Sequence, residues 1–137
     1  MTDKKVVLRS LYPNYVKRAE EFCRSMDDSY QRGDWTATVS HAVLTVIAIV
    51  DAIAVQKLGR KSSSQNHIEA VFLLNEIKTS DENKKSNMKN EIIGLINMKT
   101  PSQYSEKLMN KADAERAVNA CNKIILFLKA EIEKGKV

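Results

Sequence analysis

The fold is decided by residues 35–58, which read WTATVSHAVLTVIAIVDAIAVQKL. Apolar side chains recur so densely here that they cover almost the whole circumference of a helix. A helix that is apolar all round is buried on more than one side. The stretch therefore predicts either the central helix of a bundle or a helix shared with a second subunit. Gly59 is its expected stop.

The start of this helix is predicted from Asp34, whose carboxylate can accept hydrogen bonds from the unpaired N–H groups of the first turn. At about 1.5 Å per residue, a helix over 34–58 is roughly 37 Å long, and we expect it to be the longest in the chain. Its most apolar part, 42–55, is too short for a bilayer span and is interrupted by Asp51. The sequence therefore predicts no membrane segment.

Two polar residues within the apolar helix need an explanation. Asp51 is expected to face solvent or to pair with a lysine or tyrosine of a neighbouring helix, because unpaired burial is costly and would raise its pKa. His41 is interpreted as a partly buried histidine with one hydrogen-bond partner rather than a catalytic group. Cys23 and Cys121 fall on apolar helical faces and are expected to be free thiols.

Helices are also predicted on both sides of this stretch. The first runs over 13–32, with Pro13 in its first turn and Gly33 as its stop. A shorter helix is expected over 67–78. Its inward side chains are predicted to be Ile68, Val71, Phe72, Leu74 and Ile77.

The C-terminal third carries clear signals for helix ends. Ser80 is a candidate cap for the charged segment that follows it, and Pro101 is expected to end the next apolar helical face. Asn110 is expected to cap the last helix, with Asp113 three residues later in a capping-box arrangement. These elements predict one all-α domain over 1–137, an up-and-down bundle of four to five helices.

The remaining composition fits that class. The chain has 137 residues with four glycines and two prolines, which disfavours a loop-rich β fold. We find no internal repeat and no plausible strand pair, and we expect residues 1–10 to be a flexible N-terminus. This terminus has no long apolar segment typical of a signal peptide, so the protein is predicted to be cytoplasmic.

The sequence offers few groups for catalysis. His41 and His67 are the two histidines, and neither has a second ligand at metal spacing, so no metal and no cofactor are predicted. Lys57, Arg60 and Lys61 concentrate positive charge at a helix end. They either stabilise the helix dipole or form a phosphate-binding site, which we call the predicted phosphate triad.

The formal net charge of +5 favours anionic partners, including RNA and nucleotides. Many lysines nevertheless lie beside carboxylates, as on an ordinary solvated surface. Charge alone therefore leaves both interpretations open.

The order of features resembles the HEPN family (higher eukaryote and prokaryote nucleotide-binding domains). A basic first helix precedes the small-residue helix that contains SHA at 40–42 and DAI at 51–53 and ends in LGR at 58–60. Later come LINMKTPSQY at 95–104 and KADAERA at 111–117, which opens the last helix. The resemblance covers nearly the whole chain and implies a helical bundle that is often a homodimer.

The resemblance also implies two kinds of function. Many family members accompany a small nucleotidyltransferase in a two-protein module, and some are RNA-cleaving toxins in which four to six residues lie between an Arg and a His. Arg60 and His67 have six residues between them. An imidazole could move the proton of a ribose 2′-hydroxyl, while a guanidinium stabilises charge on the phosphate without a metal.

This sequence departs from the active members in two respects. Lys61 stands where they carry a small polar residue after the Arg, and their motif lies at a later helix junction. We therefore predict a non-catalytic binding module for a nucleotide, RNA or a nucleotidyltransferase partner, as in toxin–antitoxin-like modules. The alternatives are a metal-independent endoribonuclease using Arg60 and His67, and a structural dimer without a ligand.

Overall fold

The computed structural model describes residues 5–62, 68–104 and 108–136. Within these ranges, five α-helices form an all-α bundle, which confirms the predicted fold class. In chain order the elements are β1 Lys5–Val6, a 3-10 helix Arg9–Leu11, α1 Tyr12–Arg32, α2 Trp35–Leu58, β2 Arg60–Lys61, α3 Glu69–Asn75, α4 Glu82–Tyr104 and α5 Lys111–Lys134.

Helix α2 is the centre of the bundle. It packs against α1, α4 and α5, and every residue from 45 to 55 is buried. One chain therefore covers most of the apolar surface of α2, and the homodimer stays a prediction. Among the described helices, α2 and α5 are equally long at 24 residues, so α2 is one of the two longest helices and not the single longest.

The apolar character of α2 is explained by this central position. By length and composition alone the helix could cross a membrane, since its mean hydropathy over 18 residues is 2.0. However, 78% of that window is buried inside the bundle. Burial in the protein core therefore accounts for its composition without a bilayer.

The predicted helix ends are mostly confirmed. Gly33 and Gly59 follow α1 and α2 with φ of 77° and 67°, a left-handed conformation that glycine adopts without steric cost. At the start of α5, the side chain of Asn110 accepts from the N–H of Asp113 and the Asp113 carboxylate accepts from the N–H of Asn110. This is a complete capping box.

The prediction that the Asp34 carboxylate caps α2 is wrong. Asp34 occupies the N-cap position, but its side chain makes no capping hydrogen bond. Its carboxylate instead accepts from Nε of Arg32 at 3.1 Å. The tight turn after α1 fixes Asp34 with ψ of 76°, and its backbone carbonyl accepts from the Thr38 hydroxyl.

This contrast between the two caps gives a stability prediction. Asn110→Ala removes a capping bond and is expected to lower the free energy of unfolding by about 1 kcal/mol. Asp34→Ala removes no capping bond and should lower it by less than half as much. Urea denaturation of both variants measures the difference. Equal losses would show that the capping box of α5 contributes nothing specific.

Helix α3 differs from its prediction in length and face. It is confined to Glu69–Asn75, and Phe72, predicted to point inward, is 55% exposed. The buried face consists of Ala70, Val71, Leu73, Leu74 and, just beyond the helix, Ile77. Compared with the prediction, the buried face includes Ala70 and Leu73 and excludes Phe72, so it is rotated around the helix axis.

Helix α4 also corrects two predictions. Ser80 does not cap it, because its hydroxyl donates to Glu131; the side chain of Asp81 accepts from the N–H of Lys84 instead. Pro101 lies within α4, which continues to Tyr104. A proline lacks the N–H that would donate one helical hydrogen bond. Pro101 is only three residues from the end of α4, so the loss affects only the last turn of the helix.

The prediction of no strand pair is wrong for a short antiparallel pairing. Lys5 is opposite Lys61 and Val6 is opposite Arg60. The N–H of Val7 also donates to the carbonyl of Gly59 at 2.8 Å. Two residues on each side are too few for a sequence signal, and the described part of the predicted flexible N-terminus, from residue 5, is joined to the end of α2.

Candidate functional site

The predicted phosphate triad lies where α2 ends and β2 begins. Lys57 is in the last turn of α2, while Arg60 and Lys61 form β2. Their side chains take different directions. The Lys57 ammonium lies near Gly135 at the end of α5, whereas the Lys61 ammonium donates to the carbonyl of Ser62 at 3.3 Å. The three cations therefore do not meet at one shared contact.

Arg60 is held by a carboxylate. Its guanidinium donates from one terminal nitrogen (Nη2) to Oε1 of Glu76 at 2.5 Å, with both side chains about one-third exposed. The backbone of Arg60 pairs with Val6. The guanidinium charge is thus compensated by an acid 16 positions later in the chain, which no local sequence pattern indicated.

The segment containing Arg60 is anchored by the buried Asp51. This carboxylate is 6% exposed, and its Oδ1 accepts from the N–H of Ser62 at 2.9 Å and from the Ser62 hydroxyl at 2.8 Å. The expected lysine or tyrosine partner was therefore wrong. Desolvation raises the pKa of Asp51, while the two bonds from Ser62 and the nearby charges of Lys61 and Arg18 oppose the rise.

The second member of the predicted catalytic pair, His67, lies outside the described residues. Arg60, the first member, is described, but its distance to His67 is not defined. Only the contacts of Arg60 can therefore be described for this pair. The Arg60 guanidinium forms an ion pair with Glu76.

The prediction that His41 is partly buried and has a hydrogen-bond partner is confirmed. The residue is partly buried, and its Nδ1 is 3.1 Å from the hydroxyl of Ser29 on α1. The Ser29 hydroxyl also donates to the carbonyl of Ser25. His41 thus helps to join α2 to α1.

The cysteines are free thiols, as predicted. Cys121 is buried and Cys23 is half-buried, and burial raises the pKa of both thiols. Within the described ranges, no group of three or more His, Cys, Asp or Glu side chains could hold a metal ion. The raised pKa disfavours the thiolate form of both cysteines.

A second cluster of positively charged side chains lies between α1 and α5. Lys17 and Arg24 on α1 border this region together with Lys129 on α5 and Lys136 just beyond it. Lys17 and Arg24 were not singled out from the sequence alone. Their seven-residue spacing, which puts them on one side of the helix, is a signal in the sequence that could have identified them.

The fold and these contacts define a small helical-bundle domain whose described residues contain no metal cluster. The model of the HEPN domain family matches residues 12–132. The chain therefore belongs to the HEPN domain family, which confirms the resemblance inferred from the sequence.

One solved structure illustrates the shared fold. The crystal structure of TT1696 from Thermus thermophilus aligns with a TM-score of 0.71 over 88% of this chain and 98% of that chain. The sequences are 15% identical, so this likeness concerns the fold. A comparison with curated proteins gave no match.

Proposed function

We propose that this HEPN domain is a non-catalytic binding module for RNA or a nucleotide. The observation that carries the proposal is the ion pair between Arg60 and Glu76. A guanidinium that stabilises the developing charge of a phosphate has to be directed at that phosphate. Here it is directed at a carboxylate, and its backbone is fixed by the pairing with Val6.

The charge of the chain supports an anionic ligand. The formal net charge is +5, and phosphate contacts by lysine and arginine release condensed counterions. Such binding needs accessible cations rather than a preorganised acid and base. The family membership supports the same class of ligand. A nucleotidyltransferase partner, suggested by the family resemblance, remains a further prediction of this proposal.

The endoribonuclease with Arg60 and His67 is the alternative, and a cleavage assay in the presence of a chelator decides between them. Wild type, Arg60→Ala and His67→Ala are incubated with labelled single-stranded RNA. We expect no specific cleavage by any of the three, because the Arg60 guanidinium is compensated by Glu76. Cleavage by wild type that either substitution abolishes would establish the nuclease and refute the proposal.

A further inference from the structure

A groove separates α1 from α5 on the outside of the bundle. Both helices pack on α2, and an ion pair between Lys129 and Glu20 at 2.9 Å bridges the groove. This space has a volume of about 310 Å³. At Tyr12 and Lys136 it adjoins a second hollow of about 590 Å³ beside Arg9 and Gln56. We call the two together the α1–α5 groove.

The α1–α5 groove carries an excess of positive charge. Five cations and two carboxylates line it. The carboxylates are already occupied, since Glu20 pairs with Lys129 and Glu133 pairs with Lys136. The other three cations, Arg9, Lys17 and Arg24, are exposed and make no ion pair with any residue that the structure describes.

The spacing of these cations favours a ligand with repeated charges. Lys17 and Arg24 are seven residues apart, which places them about 10.5 Å apart along the axis of α1. Arg9 lies in the 3-10 helix before α1, so Tyr12 stands between Arg9 and Lys17 in the chain. A single phosphate can reach one of these cations, whereas a polynucleotide backbone presents phosphates to all three.

The apolar part of the groove suits bases. Tyr12, Val16 and Ile132 line it, and Tyr12 borders both halves. An aromatic ring beside a row of cations is typical of surfaces that bind single strands, because any base can stack on the ring.

We propose that the α1–α5 groove binds the backbone of single-stranded RNA through Arg9, Lys17 and Arg24, with a base stacked on Tyr12. This inference rests on the proposed function and assigns its ligand to a surface distinct from the predicted phosphate triad. Lys57 lies near Gly135 at the edge of the second hollow and connects the two regions.

Fluorescence anisotropy with a labelled single-stranded RNA of about 12 nucleotides, within the usual site size for such surfaces, tests the assignment at several salt concentrations. The variant Arg9→Ala, Lys17→Ala, Arg24→Ala is expected to lose at least about tenfold in affinity. The slope of the logarithm of the binding constant against the logarithm of the salt concentration should decrease in magnitude by about 2. Three phosphate contacts are lost, and each contact to a single strand contributes about 0.7 to this slope. The control is Lys78→Ala, Lys111→Ala, Lys123→Ala, which removes the same charge from exposed positions outside the groove.

Tyr12 gives an independent readout. Tyr12→Leu keeps apolar bulk at the groove but removes the ring, so affinity is expected to fall about tenfold, consistent with the loss of one stacked base. The salt slope should stay unchanged, because no phosphate contact is removed. An unchanged affinity would overturn the stacking assignment.

The possible failures are distinguishable. If wild type binds RNA and the groove variant weakens no more than the control, the groove assignment is overturned while the proposed function stands. The groove assignment is also overturned, and the proposed function stands, if the triple variant Lys57→Ala, Arg60→Ala, Lys61→Ala abolishes binding while the groove residues are intact. If wild type binds no RNA, the groove assignment is overturned and the proposed function loses RNA as its ligand. If polyglutamate at an equal concentration of charge displaces the RNA, the groove attracts any polyanion without preference for RNA. That result would overturn the RNA assignment.

Discussion

Ile53→Ala is expected to lower the free energy of unfolding by about 2–5 kcal/mol, the largest loss predicted for this protein. Ile53 lies in α2 and is fully buried in the core that α2 forms with its neighbours. Truncation removes buried methyl groups and leaves a cavity, because the surrounding helices can close it only in part.

The control for this substitution is Leu126→Ala. Leu126 lies on α5 and is 73% exposed, so its truncation leaves no cavity and should change stability by less than about 0.5 kcal/mol. Urea denaturation of both variants gives the comparison. Similar losses for Ile53→Ala and Leu126→Ala would contradict the central position of α2.

Glu131→Ala is expected to have the second largest effect, about 2 kcal/mol at neutral pH. Glu131 is 4% exposed, and its two carboxylate oxygens accept from the N–H of Ser80 at 2.9 Å and from the Ser80 hydroxyl at 2.5 Å. These bonds tie the loop before α4 to α5. The substitution removes the buried carboxylate together with both of its bonds from Ser80.

The effect of Glu131→Ala should depend on pH. Burial alone would raise the pKa of Glu131, but the bonds from Ser80 and Lys134 outweigh burial and lower it below the usual 4.5. A carboxyl group with a lowered pKa in the folded state stabilises the protein above its unfolded-state pKa, and this contribution is lost as the pH falls. The difference between wild type and variant should therefore shrink below about pH 4.5.

Glu133→Ala is the matched control, two residues further along α5. Its carboxylate pairs with Lys136, but both side chains are more than half exposed, and such pairs contribute little. Thermal or urea denaturation between about pH 3 and pH 7, a range that spans the titration of carboxyl groups, compares the two variants. A pH-independent loss for Glu131→Ala would show that packing, and not the bonded carboxylate, stabilises this position.

The parts of the fold that were predictable depend on local sequence. An apolar helix that needs burial all round, a left-handed glycine after a helix and a capping box each involve residues within a few positions of one another. Accordingly, the limits of α2 and the capping box at Asn110 were predicted correctly. The face of α3 was not, because a helix of seven residues gives too few apolar positions to fix its rotation.

The site was less predictable, because its contacts are not local. The sequence indicated that Arg60 was chemically interesting, but its partner Glu76 lies 16 positions away, beyond the end of α3. Likewise Asp51 was expected to find a partner on a neighbouring helix, yet Ser62 on the following segment satisfies it. The α1–α5 groove joins residues 109 positions apart, as the pair of Lys129 and Glu20 illustrates.

Whether this domain binds RNA without cleaving it can be measured directly by following the binding and the integrity of RNA in the same sample. Wild-type protein is titrated into end-labelled single-stranded RNA in chelator, anisotropy gives the affinity, and a denaturing gel of the same sample shows the length of the RNA. We expect salt-sensitive binding to RNA that remains intact. Specific cleavage that depends on Arg60 or His67 would contradict it.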